Sequence, residues 1–502
     1  MVMKTYIYIV ALTGVFFLTA CNDDFIRIEP ESSISANQYF KNQEEATLAV
    51  NGAYAPLQNL ASNNWWILSE LRSDNTTYQY NEGDRRNLPL EQIDDFLMQP
   101  NNPHTEGFWS ASYAGISRCN VFLNRVNNVP FTDEQLKSRL TGEILFLRAL
   151  YYFNLTRFFG AVPLVTEEVT APDNDDQYVL PKSPLEEIYP QLIAYLEQAA
   201  SLMAEGRYSA GDKGRATAGA ANMLLGEIYM VRGEYELANN AFQKVEESGY
   251  NLLDNYASIF DPGNKNHAES IFEVQYFESN QGKGSNFIYR FAPFNSGQEI
   301  VGDNQFIPYN AGFNIPTHDL INTYEVGDKR KDASIAWYTK EGNDSFDVAV
   351  GNSIPFINKY NHGHAVPGVT NDNFPIFRYA RTLLLRAEAL NELNRTAEAN
   401  NYLSRVRERA GLAALSAGLS QENFRQAVHH ELQVELAFEN WRWSDLLRTD
   451  HALQTMKEHG ERRKAGVSRL ANAYNVMPYK LLYPLPVREL KLNSKLEQNT
   501  GW

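Results

Sequence analysis

Leu225-Gly226, Tyr229, Ala238, Phe242 and Val245 stand at the spacing of a roughly 34-residue unit made of two helices and a turn. The same spacing returns 161 positions further on, at Ala387, Leu390, Ala399, Leu403 and Val406. In such a unit a small residue, here Gly226 or Ala387, lets the two helices approach. The larger apolar residues fill the gap between them, and Gly233 or Asn394 makes the turn. A third helix runs through Glu143, Leu147, Ala149, Tyr152 and Leu155 and breaks at Gly160 and Pro163. The chain has 502 residues, more than the roughly 250–300 that one hydrophobic core organises, so stacked repeats solve the problem of size without separate domains.

Apolar residues at i, i+3, i+4 and i+7 predict further helices at 43–60, 105–127, 184–204 and 421–440, so the expected fold is mainly α, a scaffold of helix pairs. Residues 250–375 differ in texture. They are rich in Gly, Asn, Pro and aromatics, with short alternating runs such as Ser270 to Phe277 and Ile354 to Asn361, and predict a loop-rich insertion with a few short strands. Long irregular stretches inside a compact fold usually serve binding.

Lys4 precedes an apolar run from Tyr6 to Phe17, then Leu18-Thr19-Ala20-Cys21 and the polar Asn22-Asp23-Asp24. The run falls short of the roughly 20 residues of a spanning helix and reads as an export signal, residues 1–20. Leu-Thr-Ala-Cys resembles the bacterial lipoprotein box, which implies cleavage before Cys21, lipidation of Cys21 and a polar tether over 21–36. Several acyl chains on one Cys give firm attachment without a spanning segment. The other cysteine, Cys119, lies in the apolar run Ile116 to Leu123 and reads as packing rather than as a nucleophile. Against 45 basic residues stand 61 acidic ones, a net charge of −16 that argues against nucleic acid as a partner.

Further segments stand in a fixed order: the box ending at Cys21, Leu147-Arg148-Ala149 leading to Arg157-Phe158-Phe159-Gly160-Ala161-Val162-Pro163-Leu164, Gly214-Arg215-Ala216-Thr217, and Arg386-Ala387-Glu388-Ala389-Leu390-Asn391. The tail adds Glu435-Leu436-Ala437-Phe438-Glu439 with Arg442-Trp443-Ser444-Asp445-Leu446, then Tyr483-Pro484-Leu485-Pro486, Glu489, Asn493 and Leu496-Glu497-Gln498-Asn499. Together these segments resemble the SusD/RagB family of surface glycan-binding lipoproteins of Bacteroidetes, and their order along nearly the whole chain makes the likeness specific. It implies a scaffold of tetratricopeptide units, an N-terminal region over 37–215 and a C-terminal region over 216–502 that carries the insertion. It also implies the outer membrane as location, surface exposure through the lipid, and as partner a SusC-like TonB-dependent barrel over which the protein sits as a lid.

A sugar ring has an apolar CH face and a polar rim, so its site pairs flat aromatic side chains with amides, carboxylates or guanidinium groups. Two segments fit. The first, Ser73 to Asn81, offers Asp74, Asn75, Tyr78 and Tyr80, and is the leading candidate because the family's ligand surface forms in the corresponding region. The second offers Asn286, Tyr289, Tyr309, Trp337 and Tyr338. Each of these aromatics is equally accounted for as packing of a loop onto the scaffold. Trp65 and Trp66 adjoin the first segment and can face inward, and Trp109, Trp441 and Trp443 read as core.

Chemistry finds less support. Glu431, Glu435 and Glu439 share one predicted helical face, and two carboxylates at such spacing resemble a glycosidase pair, but a catalytic pair must face each other across a substrate. Pairing with Arg405, Arg407, Arg409 and Arg442 is the expected role. His362 and His364 lack a third metal ligand at a telling distance, Gly211 to Thr217 lacks the Gly-Lys-Ser/Thr order of a phosphate loop, and no nucleophile elbow occurs. The expectation is a non-enzymatic glycan binder that passes its ligand to the barrel, with no cofactor and no metal. The alternatives are a helical-barrel glycoside hydrolase or lyase, and a peptide-capturing lid of the RagB type, toward whose basic ligands an acidic surface would steer.

Overall fold

The computed structural model describes residues 40–502 apart from 171–178, 205, 207, 209, 280 and 302–311. The export signal, Cys21, the tether and Tyr309 lie outside the described residues. No described helix is long and apolar enough to cross a membrane.

The helices, with the strands between them, are α1 (Gln43–Asn59), β1 (Thr76–Thr77), α2 (Leu88–Asp94), α3 (Pro103–Arg125), α4 (Glu134–Phe159), α5 (Leu185–Leu202), α6 (Ala218–Val231) and α7 (Tyr235–Glu247). The insertion holds β2 (Ser270–Val274), α8 (Phe287–Phe291), β3 (Ile315–Pro316), α9 (His318–Thr323), α10 (Arg330–Ser334), β4 (Ile335–Thr339), β5 (Ser353–Ile357) and β6 (Phe374–Arg378). The chain then returns to helices α11 (Tyr379–Glu392), α12 (Thr396–Arg409), α13 (Gln421–Glu435), α14 (Arg442–Arg448), α15 (Ala452–Lys464) and α16 (Val487–Leu492).

Packing follows one repeating rule. α1 packs on α3, α4 on α5, α6 on α7 and α11 on α12, and these four pairs are stacked through α3–α4, α5–α6 and α7–α11. Small residues set the spacing: a Cβ on Gly226 would come within 2.2 Å of Phe242, and one on Gly115 within 2.3 Å of Tyr151. The two expected turns fall where a left-handed backbone is needed, at Gly233 (φ 71°) and Asn394 (φ 60°). Thr217 caps α6, its hydroxyl accepting from the Ala220 amide at 3.2 Å, so Gly211 to Thr217 is a turn and helix start. One buried core runs from Ala46 to Leu496 and crosses the boundary at 215/216.

The insertion leaves the stack between α7 and α11 and is closed at its root by the antiparallel β2–β6 ladder, Ser270 opposite Arg378. Farther out, β4 and β5 form an antiparallel hairpin with Trp337 opposite Pro355 and Tyr338 opposite Ile354. A third pairing, Thr76 with Pro316 and Thr77 with Ile315, stitches the segment after α1 onto the insertion.

The helix expected over 421–440 stops at Glu435. Phe438 and Asn440 take left-handed backbone (φ 69° and 66°), and their amides donate to the buried Glu70 carboxylate at 2.8 and 3.1 Å. Tertiary hydrogen bonds thereby replace the helical ladder, and Glu439 does not share a helix with Glu431 and Glu435.

Candidate functional site

The acidic cluster separates itself from any site. Arg330, itself fully buried, donates to Asp328 at 2.7 Å, Glu431 at 2.8 Å and Glu435 at 3.1 Å. Arg378 bridges Glu269 at 2.8 Å, Glu435 at 2.5 Å and Glu439 at 2.6 Å, and Lys359 donates to Glu439 at 2.7 Å. Arg407 reaches Glu431 and Arg409 reaches Glu435. Burial would raise the Glu431 carboxyl, but the His430 hydrogen bond and the Arg330 and Arg407 charges hold it down at about 2. Two of the four expected arginines pair elsewhere: Arg405 with Glu246 and Arg442 with Asp74. Glu325, His430 and Glu431 converge closely enough to hold a cation, yet both carboxylates are already committed to guanidinium groups.

Cys119 is fully buried and burial pushes its thiol up to about 12, as a packed residue requires. His362 Nδ1 contacts Asp372 Oδ1 at 2.5 Å, and His364 pairs with the Tyr289 hydroxyl, so the two imidazoles serve different partners.

The first aromatic segment is not the open platform expected. Tyr78 is 1% exposed and its hydroxyl donates to Asp95 at 2.8 Å while accepting from Arg469 at 2.9 Å. Burial and the Asp95 charge push that phenol well above its usual range. Asp74 is locked to Arg442, and Asn75 donates to Glu70 at 2.8 Å and accepts from Gln433 at 2.9 Å. These three residues are turned inward because β1 pairs with β3 and its flanks fill the seam between scaffold and insertion. Tyr80 alone of the four reaches the surface, half-buried between Arg85 and Arg469, whose guanidinium carbons lie 4.6 and 4.4 Å from the ring centre.

In the second segment Tyr289 is buried against Tyr338 and Phe356, because α8 is held between the core and the hairpin. Asn286 precedes α8, half-buried, with an Oδ1 that finds no donor among the described residues. Trp337 points the other way from Tyr338 and is 42% exposed, an open ring on a rigid hairpin. Trp65, Trp66, Trp109, Trp441 and Trp443 are all buried.

Between Tyr80 and the hairpin lie residues that sequence reasoning missed. Gln79 Oε1 accepts from the Phe294 amide at 3.0 Å and Gln79 Nε2 donates to Asn295 at 3.1 Å. Asn295 donates to Asn343 at 2.6 Å, and Asn343 donates to the Tyr338 carbonyl at 3.0 Å. This chain of amides fixes Phe294 and Phe346, both partly buried, edge to face at 5.4 Å. Arg469 ties the same region down by bonding Asp347 at 2.8 Å. Beneath lies the buried pair Asp94 and Asp95; burial and mutual repulsion raise Asp94, and burial raises Asp95, above the usual carboxylate range. The result is a surface of flat rings, amides and guanidinium groups where the 78–86 loop meets the insertion. Only the aromatic enrichment of the insertion hinted at Phe294 and Phe346; Arg469 comes from the tail and carried no local signal.

Comparison with known proteins agrees with this architecture. Residues 332–502 match the family model described as "SusD family", and residues 24–230 match one described as "Starch-binding associating with outer membrane". A SusD-like protein of Formosa agariphila is 26% identical over 99% of this chain and 98% of its own length. A solved structure of a laminarin-binding SusD-like protein superposes with a TM-score of 0.76 at 28% identity, covering 92% of this chain and 100% of that one. Surface glycan-binding protein A from Bacteroides fluxus superposes with a TM-score of 0.75 at 25% identity, with 92% and 100% covered.

Proposed function

This chain belongs to the SusD/RagB family, and from that premise we propose that it captures an oligosaccharide or polysaccharide at the surface of the outer membrane. The observation that carries the reading is the set of partly buried rings Tyr80, Phe294 and Phe346 held beside the Gln79–Asn295–Asn343 amide chain, with the open Trp337 ring on the other face of the same hairpin. Partly open rings set among fixed amides and guanidinium groups fit the apolar and polar sides of a sugar. The names of the laminarin-binding and glycan-binding neighbours support the same ligand class.

Binding without bond cleavage is part of the proposal. The carboxylates Glu431, Glu435 and Glu439 are buried in ion pairs inside the scaffold, where no substrate reaches them. Lipidation of Cys21, surface exposure and delivery of the captured glycan to a SusC-like TonB-dependent barrel complete the proposed role. They rest on the lipoprotein box and on the family.

Affinity electrophoresis and calorimetry against a glycan panel test this function, with Trp337→Ala and Tyr80→Ala. The expected result is binding to at least one glycan, weakened in both variants. Full retention of affinity in both variants would remove this surface from the site. Release of reducing ends by the purified protein would replace binding by hydrolysis.

A further inference from the structure

Arg290 is the exception among the described arginines: its guanidinium makes no hydrogen bond, ion pair or ring contact. Every other described arginine has an acidic partner, a carbonyl or amide oxygen, or an aromatic face. Even the buried Arg72, for example, donates to the Ile93 and Lys480 carbonyls, at 2.5 and 2.8 Å. Arg290 is half-buried, and burial pulls its pKa down with nothing opposing it. A guanidinium that loses water without gaining a partner is costly, and proteins keep such a group where a ligand supplies the missing charge.

Its surroundings fit that use. His104, at the start of α3, is its charged-state neighbour, and burial together with the Arg290 charge pushes that imidazole down to about 4. At neutral pH His104 is therefore uncharged and Arg290 supplies the positive charge. Asn286, four residues earlier and immediately before α8, brings the unpartnered Oδ1, an acceptor suited to a hydroxyl. The Arg290 carbonyl accepts from Phe313 at 2.9 Å, within the knot where Gly312 bonds Ala292 and Gln79 bonds Phe294. Four residues separate Arg290 from Phe294, so their backbones are at most about 14 Å apart, within reach of one bound oligosaccharide.

We propose that Arg290 receives an anionic group, a carboxylate or a sulfate ester, carried by the glycan bound at the adjoining aromatic surface, and that the ligand class is therefore an acidic polysaccharide. The inference rests on the glycan-binding reading above and deepens it. A planar guanidinium suits both oxyanions, which it binds bidentately.

The test uses the purified chain at low salt in calorimetry with four probes: an oligogalacturonate, a sulfated carrageenan oligosaccharide, neutral laminarihexaose and an oligoglutamate peptide. At least one acidic oligosaccharide is expected to bind about tenfold or more tighter than laminarihexaose, and the arm that does so names the oxyanion. Arg290→Gln should lose about tenfold for that probe, Arg290→Lys less, with affinity for the neutral probe unchanged. Because the substitution removes an unpaired half-buried charge, Arg290→Gln should melt no lower than the parent, which separates a ligand role from a structural one. Equal affinity of parent and Arg290→Gln for the acidic probes, or preference for laminarihexaose, would overturn the assignment of Arg290 while leaving glycan capture intact. Preference for the oligoglutamate, or no binding of any glycan, would overturn both.

Discussion

Arg442 clamps Asp74 with two hydrogen bonds of 2.8 Å, Nε to Oδ1 and Nη2 to Oδ2, and so fastens the segment after α1 to the start of α14 across 368 positions of sequence. Both groups are buried or nearly so, and burial, which would raise the Asp74 carboxyl, is outweighed by the Arg442 charge and hydrogen bonds that hold it below its ordinary value. Asp74→Ala leaves a buried guanidinium unpaired and is expected to cost about 3–5 kcal/mol of stability, measured by denaturant unfolding. A ligand role for Asp74 would instead leave the unfolding midpoint in place and lower glycan affinity alone.

The contact between Gly226 and Phe242 gives a second prediction. A methyl on Gly226 collides with the Phe242 ring, so Gly226→Ala is expected to destabilise by about 1–3 kcal/mol. Phe242→Leu in the same chain should recover part of that loss, and a double-mutant cycle should show coupling of about 0.5 kcal/mol or more. Additive effects would mean that α6 and α7 do not meet at these two residues.

Glu70 predicts a pH dependence. Burial lifts its carboxyl to about 7 even though Asn75, Phe438 and Asn440 donate to it. In the unfolded chain the group titrates near its ordinary value of about 4.3, so the folded state holds the proton more tightly. Its contribution is fully present below about pH 4.3 and is lost as pH rises towards 7. The stability difference between the parent and Glu70→Gln should therefore shift against the parent over this window, by at most about 1.4 kcal/mol per pH unit. A difference independent of pH between 4 and 7 would contradict a raised Glu70.

Tyr78 and Trp337 should behave oppositely. Tyr78→Ala empties a buried position and breaks the bonds to Asp95 and Arg469, at an expected cost of about 3–5 kcal/mol in stability. Trp337→Ala removes an exposed ring and is expected to change stability by no more than about 0.5 kcal/mol, while weakening glycan binding by about 2 kcal/mol. Thermal melting paired with calorimetry separates the two, and a Trp337→Ala variant that melts far below the parent would make that ring structural.

The helix pairs were legible in the sequence because their determinants are local. Gly226, Tyr229, Phe242 and Gly233 act within one unit of the stack, and a helix repeats its contacts every 3.6 residues. The same locality made the turn at Asn394, the cap at Thr217 and the break at Gly160 readable. The loop-rich texture between α7 and α11 was readable from composition, since glycine, asparagine and aromatics interrupt the helical period.

Which aromatics face solvent was decided by contacts between distant segments. Tyr78 and Tyr80 have the same local chemistry, yet Asp95 and Arg469 draw one ring inside and leave the other at the surface. Trp337 and Tyr338 are neighbours on β4, and the pairing with β5 together with the packing of α8 sends them to opposite faces. Glu439 fell off the predicted helix because Glu70, hundreds of positions away, captured the backbone amides that would have continued it. Sequence therefore determined the stack, where each contact is made within a repeat or with the next one. Tertiary structure alone decided the candidate surface, because burial there depends on which of several polar partners each loop meets.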